Sequence, residues 1–506
     1  MGMKVERRTV QSETVFVLLV TVVFIFLVCG NAIAQPGAWL THSHDEQHTA
    51  LSTVQSQPLS TIHWKTPVDL FPPGGEIFIH YGSPLVTAAN TVIVPVKTGN
   101  NSFRVQAMNG ATGKKLWQLK TGWQAPGASF VPGLGPTISG STLYIPDIAG
   151  RVIARPNPDE KKQKVTKLYF YGAKNYKKAK STYEANVQIN TPLTTDAAGN
   201  LFFGFDILGS TPLNLKGGLA RIGTDGTGTW VSAASLSGDS SVYEVSMSAA
   251  PAVSLDGSII YVAVDNGDYG YLVAVNSVTL APINKVLLKD PSSGLNAIIF
   301  DASSAAPTVG PDGDVYFGVI ENPFPNHNDR GWLLHYNADL TQTKIPGSFG
   351  WDDTASVVPA SMVPSYTGTS TYLLMTKYNN YCGAGSGNGK NEIAILDPNA
   401  TEQDPIIHNT MVMKEVLTHL GVTPDGDCPG GVTEWCINTA AVDPLTKSVM
   451  ANNEDGKLYR WDLTTNTFTE VITLSSGIGE AYTPTVIGAD GTVYAINKAI
   501  LDAIGK

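Results

Sequence analysis

Cysteine is scarce in this chain, with four residues in 506. No Cys-x-x-Cys unit and no Cys-x-x-Cys-His occurs, which excludes the usual zinc-ribbon and c-type haem patterns. No two cysteines are adjacent. Charge is also sparse, at 15% of residues with a net value of −10. An acidic chain without a dense basic stripe is a poor nucleic-acid binder, because phosphate neutralisation needs clustered Lys and Arg. Helical periodicity is missing outside Met411–Leu420. No Gly-x-Ser-x-Gly elbow and no phosphate-cradling loop is found, and nothing pairs a nucleophile with a base.

Long apolar runs are missing too, except for Val15–Cys29, which at 15 residues is short for a bilayer span. Lys4, Arg7 and Arg8 precede it, and Ala32-Ile33-Ala34 follows with a small-x-small pattern. Residues 1–34 therefore read as a signal peptide cleaved before Gln35. Lipidation at Cys29 is less expected, because Val28 is bulky where a lipobox wants a small residue. The expected product is secreted or periplasmic, with no stable membrane insertion after cleavage. Cys382, Cys428 and Cys436 then remain, in a compartment that permits disulfides. Cys428 and Cys436 share one Gly-rich loop and are the expected pair, with Cys382 bonded to either as the competing arrangement.

What the chain does contain is a repeat. Short apolar segments open with Pro or a small residue at Ser83-Pro84, Gly135-Pro136, Thr191-Pro192, Ala250-Pro251, Ala306-Pro307, Val358-Pro359, Ala440-Ala441 and Thr483-Pro484. Most are about 50–60 residues apart, the scale of a propeller blade with its loops. Asp-Gly turns such as Asp256-Gly257, Asp312-Gly313 and Asp490-Gly491 supply hairpin geometry within the repeats. The expectation is an all-β, eight-bladed β-propeller over residues 35–506, monomeric, with an insertion at about 378–420 that includes Met411–Leu420. Seven blades is the alternative, because the interval from Pro359 to Ala440 is long and irregular. The last repeat lacks an outer strand, and Thr61–Thr66 is expected to supply it, closing the ring and removing both sheet edges. One basic run, Lys161–Lys180 with eight lysines, reads as a solvated outer strand and loop, with an anionic-partner site as the alternative.

The segment Gln106-Ala107-Met108-Asn109-Gly110-Ala111-Thr112-Gly113-Lys114-Lys115-Leu116-Trp117 resembles the tryptophan-docking repeat of PQQ-like (quinoprotein alcohol dehydrogenase-like) β-propellers. Partial copies lie at Val273–Asn276, Ile393–Asp397 and Leu458–Leu463. Trp39, His44-Asp45 and Trp64 look like that family's lead-in. The resemblance implies a Trp packed between neighbouring blades. It also implies two branches of function. Methanol-oxidising quinoproteins carry an adjacent cysteine pair over PQQ, which this chain lacks. The other branch resembles a non-catalytic scaffold that binds protein partners.

Segments leading into innermost strands line a propeller's channel mouth. Asp301, Asp353 and Glu434 each precede an opening by six residues, and Asp352 and Glu480 lie in corresponding segments. Facing the axis, they would crowd like charge and recruit a cation or a polar, sugar-like ligand. The alternative is a set of solvated loop acids pointing outward. Glu434 and Asn438 would share one face of an extended segment as oxygen donors suited to calcium. Trp435 would stack a planar or sugar ring, or else fill a gap between blades. His42, His44 and His48 read as a hydrogen-bonded extension rather than a metal site. The expected function is that of an exported binding or scaffold protein, without cofactor, taking a protein partner or an extracellular polar small molecule or glycan at the channel mouth. The competing reading is a quinoprotein-type alcohol or sugar oxidoreductase using PQQ and Ca²⁺.

Overall fold

A computed structural model describes residues 1–2, 37–72, 81–127, 133–299, 305–479 and 481–506. Residues 3–34 of the proposed signal peptide lie outside the described residues. From residue 37 onward the chain forms eight small antiparallel sheets, the blades of an eight-bladed β-propeller. The sequence alternates two kinds of strand for a physical reason. Middle strands are covered on both faces by neighbouring blades, so they read as continuous apolar runs. Ile260, Tyr261, Val262, Ala263 and Val264 are all buried in Ile259–Asp265. Outer strands have one wet face and alternate, as in Thr467–Thr473.

Blade eight is composite. Its strands are Val486–Ile487, Val493–Asn497 and Ile500–Gly505, completed by Thr61–Pro67 pairing antiparallel with Ile500–Gly505. Trp64 then docks on blade one, where its Nε1 donates to the Gly110 carbonyl at 2.7 Å. Gly113 sits against the Trp64 ring at φ +66, and a Cβ there would come within 2.6 Å of it. The turn itself is tied by Asn109 Oδ1, which accepts from the Thr112 amide at 3.0 Å and hydroxyl at 2.8 Å. Trp117 is buried, donates to Pro158 O of blade two at 2.6 Å, and lies under the Arg155 guanidinium. The docking motif thus holds blade to blade, as its residues imply.

Two expectations need correction. Met411–Leu420 is a strand, not part of an excursion: with Glu392–Gln403 it makes the outer half of blade six. Its helix-like apolar spacing is overridden by pairing with that long neighbour. The insertion shrinks to the loop between Tyr378 and Glu392, and the long interval is one large blade. Blade five, by contrast, has three strands among the described residues: Thr308–Val309, Val315–Val319 and Trp332–Tyr336. The basic run also differs in detail. It holds one strand, Thr166–Tyr169, and the helices Ala173–Lys178 and, at its end, Lys180–Asn186.

Trp39 and His44-Asp45, expected as a lead-in, and His42, His44 and His48, expected as a hydrogen-bonded extension, belong to one segment, residues 39–52, that runs around the inside of the ring. Val86, Ile138, Val253, Val309, Val357 and Val442 are innermost-strand residues of blades one, two, four, five, six and seven. Their amides donate in turn to the carbonyls of Trp39, Leu40, Glu46, Gln47, Thr49 and Ala50 at 2.8–2.9 Å. Thr41 Oγ1 reaches Leu193 O of blade three, and the Gln57 amide reaches Gly491 O of blade eight. Positive φ values at Ser43 (51), His44 (86), His48 (62) and Ala50 (55) let the segment follow so tight a circle. Without it these innermost-strand amides would have no backbone partner at the axis.

Trp39 is fully buried, so Trp39→Ala should cost about 3–5 kcal/mol, read from the urea midpoint. Asp502 gives a pH prediction. Burial, opposed by the Lys65 ammonium 2.9 Å away, pushes its carboxyl up to about 6. The folded chain holds a proton there that the unfolded chain releases near pH 4, so this group weakens folding as pH rises from about 4 to about 6. Asp502→Asn should remove that part of the slope in a series of urea titrations across this window.

Candidate functional site at the axial mouth

The threaded segment floors the axial channel. His42 lies in that floor and lines a small cavity with Ser83, Pro136, Ser248, Asn438 and Tyr482, of about 30 Å³. The other lining residues belong to the approaches to the innermost strands, where propeller mouths open. His42 and His48 are buried and meet edge to face at 5.4 Å. Burial, with His48 beside it, drops the His42 imidazole to about 3, so the ring is neutral at ordinary pH. His48 Nδ1 donates to Pro307 O at 2.7 Å, which sets its tautomer. His42 Nε2 and Ser248 Oγ are buried and have no hydrogen-bond partner among the described residues.

Blades six and seven build the charged wall. Lys377 is buried, with its ammonium 3.6 Å from Asp352 Oδ2 and 5.4 Å from the centre of the Tyr482 ring. Its amide donates to Asp353 Oδ2 at 3.1 Å. Burial holds the Asp353 carboxyl well above the usual carboxylate range, against the pull of Lys377. Neither aspartate is a solvated loop acid: both are buried. Burial and then the like charge of Glu454 push Glu434 up to about 8. The Glu434 amide donates to Glu454 Oε1 at 3.0 Å, and Cys436 Sγ donates to Glu454 Oε2 at 3.4 Å. Ligand atoms of Glu434, Cys436 and Glu454 all lie within 4.8 Å of one another. Two carboxylates and a sulfur at this separation are a donor set for a divalent cation.

The cysteine expectation is overturned: Cys382 bonds to Cys428, and Cys436, buried, stands outside that bond. The reason is the path of the chain between them. The loop after Tyr378 folds back so that Gly389 O accepts from the Val432 amide at 2.9 Å, and Asn391 Nδ2 donates to Val432 O at 2.7 Å. That brings Cys382 to Cys428, while the buried segment beyond Val432 carries Cys436 to Glu454. The calcium pair is changed as well. Glu434 is grouped with Cys436 and Glu454, whereas Asn438 lines the axial cavity and its carbonyl accepts from the Thr354 amide at 2.8 Å. Trp435 offers no stacking face. It is fully buried, its Nε1 donates to Asn391 O, and it packs edge-on against Tyr459 at 5.3 Å. It fills the gap between blades. Asp301 and Glu480 lie outside the described residues. Lys377, Glu454, His42 and Ser248 were not foreseen, since each lacks a motif and is recruited by the fold.

The architecture defines the class: an eight-bladed β-propeller. No protein-family model matches the chain, and no curated protein matches it in sequence. Among solved structures, a europium-containing methanol dehydrogenase superposes with a TM-score of 0.52 at 11% identity, covering 91% of this chain and 89% of that one. A quinohemoprotein alcohol dehydrogenase from Comamonas testosteroni gives 0.44 at 12% identity, covering 92% and 71%. BamB from Moraxella catarrhalis gives 0.34 at 9% identity, covering 90% and 97%. The first likeness is one of fold, and the other two are too loose to carry an argument.

PQQ, which the fold brings to mind, is a flat tricarboxylate. The described residues do not fit it. The axial cavity of about 30 Å³ is roughly a tenth of the smallest usual ligand pocket. Trp435 is enclosed, and Lys377, the buried cation nearest the two aspartates, already faces Asp352.

Reduction or Cys382→Ser should cost about 2–4 kcal/mol, since the bond spans 46 residues. Non-reducing peptide mapping should recover Cys382 linked to Cys428, with Cys436 alkylated only after unfolding.

Proposed function

We propose that the chain is an exported, non-catalytic binding propeller that holds a divalent cation, or the polar end of a small extracellular ligand, at its axial mouth. One observation carries this reading. The mouth gathers buried and partly buried ionisable groups from blades six and seven above a floor that leaves His42 Nε2 and Ser248 Oγ without partners among the described residues. Buried polar atoms are almost always satisfied, so an unsatisfied pair lining a cavity calls for a bound partner. Glu434, Glu454 and Cys436 supply the cation's donors, and Asn438 and Tyr482 border the polar ligand. A neutral His42 accepts or donates one hydrogen bond without adding charge.

Calorimetry tests this with Ca²⁺ and, separately, Cd²⁺, which favours the sulfur donor. The wild-type chain should bind one equivalent of at least one of these ions. Glu434→Gln should weaken binding at least tenfold, and Cys436→Ser should weaken Cd²⁺ more than Ca²⁺. Null titrations for both ions on the wild type would end the cation reading. Stoichiometric uptake of PQQ with Ca²⁺, together with dye-linked alcohol or sugar oxidation, would replace the proposal with the oxidoreductase reading.

A further inference from the structure

A second feature lies at the rim between blades two and three and uses none of the axial residues. Lys161, Lys162, Lys164, Lys167, Lys174, Lys177, Lys178 and Lys180 are all exposed, and no Asp or Glu occurs between residues 161 and 180. Eight of the chain's 33 basic residues are thus gathered in one short stretch of a molecule that carries net charge −10. Only Lys180 has a carboxylate within ion-pair distance among the described residues, Glu184 at 3.9 Å. The bordering acids are already engaged. Glu184 accepts from the Tyr176 hydroxyl at 2.7 Å, Asp225 from the Thr227 amide and hydroxyl at 2.9 and 2.8 Å, and Glu160 from Gln163.

This basic stretch borders a cleft of about 620 Å³. One wall runs from Lys167 to Ala173 and the other from Gly226 to Trp230, with Leu213 between. The second wall enters Gly228–Ser232, the outermost strand of blade three, which pairs on its inner side with Gly218–Ile222 and ends the sheet. Tyr169 and Trp230 are half-buried, so each leaves part of its ring facing out. Gly228 is required where the blades meet, since a Cβ there would lie 2.1 Å from Phe170 O. A terminal strand edge, aromatic walls and a run of lysines that, Lys180 apart, have no carboxylate within ion-pair distance among the described residues suit an extended chain of opposite charge. The edge supplies backbone hydrogen bonds, the rings take apolar side chains, and the lysines select acidic ones.

We propose that this cleft docks an acidic, extended peptide segment of a partner protein, which adds as a strand to the edge Gly228–Ser232. A flat anionic membrane would meet the lysines but could not enter the cleft, and it would gain nothing from the strand edge.

The probe is a fluorescein-labelled heptapeptide of alternating Glu and Val, followed by anisotropy with the full chain. Binding should weaken at least tenfold when Gln replaces Glu in the peptide, and again when alternate peptide nitrogens are methylated. The double variant Lys167→Glu/Lys174→Glu should also lose at least tenfold. Both positions are exposed, so its thermal melting should match wild type. Affinity should fall steeply between 50 and 300 mM salt, about tenfold or more, because the attraction is charge-driven. Equal binding by the double variant, or by the Gln peptide, would overturn the proposal. So would full binding by the methylated peptide, which would reduce the site to unspecific attraction. Sedimentation with phosphatidylglycerol vesicles that the double variant loses, alongside no peptide binding, would assign the lysines to a lipid surface instead.

Discussion

Each blade of a propeller leaves its innermost strand with one edge turned to the axis, where backbone amides have no neighbouring strand to bond. In this chain residues 39–52 meet those edges one blade after another. An intramolecular hydrogen bond contributes about 0.5–1.5 kcal/mol net, but an unmet buried donor costs about 1–3 kcal/mol. The segment therefore matters mostly through what it prevents. It also joins consecutive blades to one common strip of backbone before Thr61–Pro67 seals the ring at blade eight. One stretch near the start of the fold closes the molecule twice, once at the axis and once at the rim.

The site follows from that closure. A threaded floor turns an open channel into a cup, and the cup is dry enough to change the chemistry of its walls. His42 is held neutral, while Asp353 and Glu434 are held toward their protonated forms. Lys377 offsets only part of the acid that blades six and seven direct inward. The disulfide between Cys382 and Cys428 ties the loop of blade six to the approach of blade seven. It leaves the third cysteine to stand among carboxylates. The rim cleft draws on different physics: a strand edge that the ring does not cover, beside lysines that the chain does not neutralise.

Several features were legible because they are local. The spaced openings, the Asp-Gly turns and the Asn109–Trp117 motif each act within one blade or between neighbours, and each appears where its residues imply. The missing outer strand of the last repeat was legible as an imbalance in strand count. Met411–Leu420 was misread because an apolar spacing of three and four says nothing about a twelve-residue neighbour, Glu392–Gln403, waiting to pair. The disulfide was misassigned because nearness in sequence was taken for nearness in space. Trp435 and Glu434 are adjacent, yet one fills a core and the other meets Glu454.

The amino-acid sequence by itself determined the repeat and the strand that closes the ring, and favoured eight blades over seven, because hydrophobic period and turn chemistry are properties of short segments. Only the tertiary structure decided which cysteines bond, which acids meet Lys377, and that the lead-in with His42 floors the channel. Those outcomes depend on contacts between residues tens to hundreds of positions apart. Their geometry is set by how eight blades pack, and no short stretch of chain contains it.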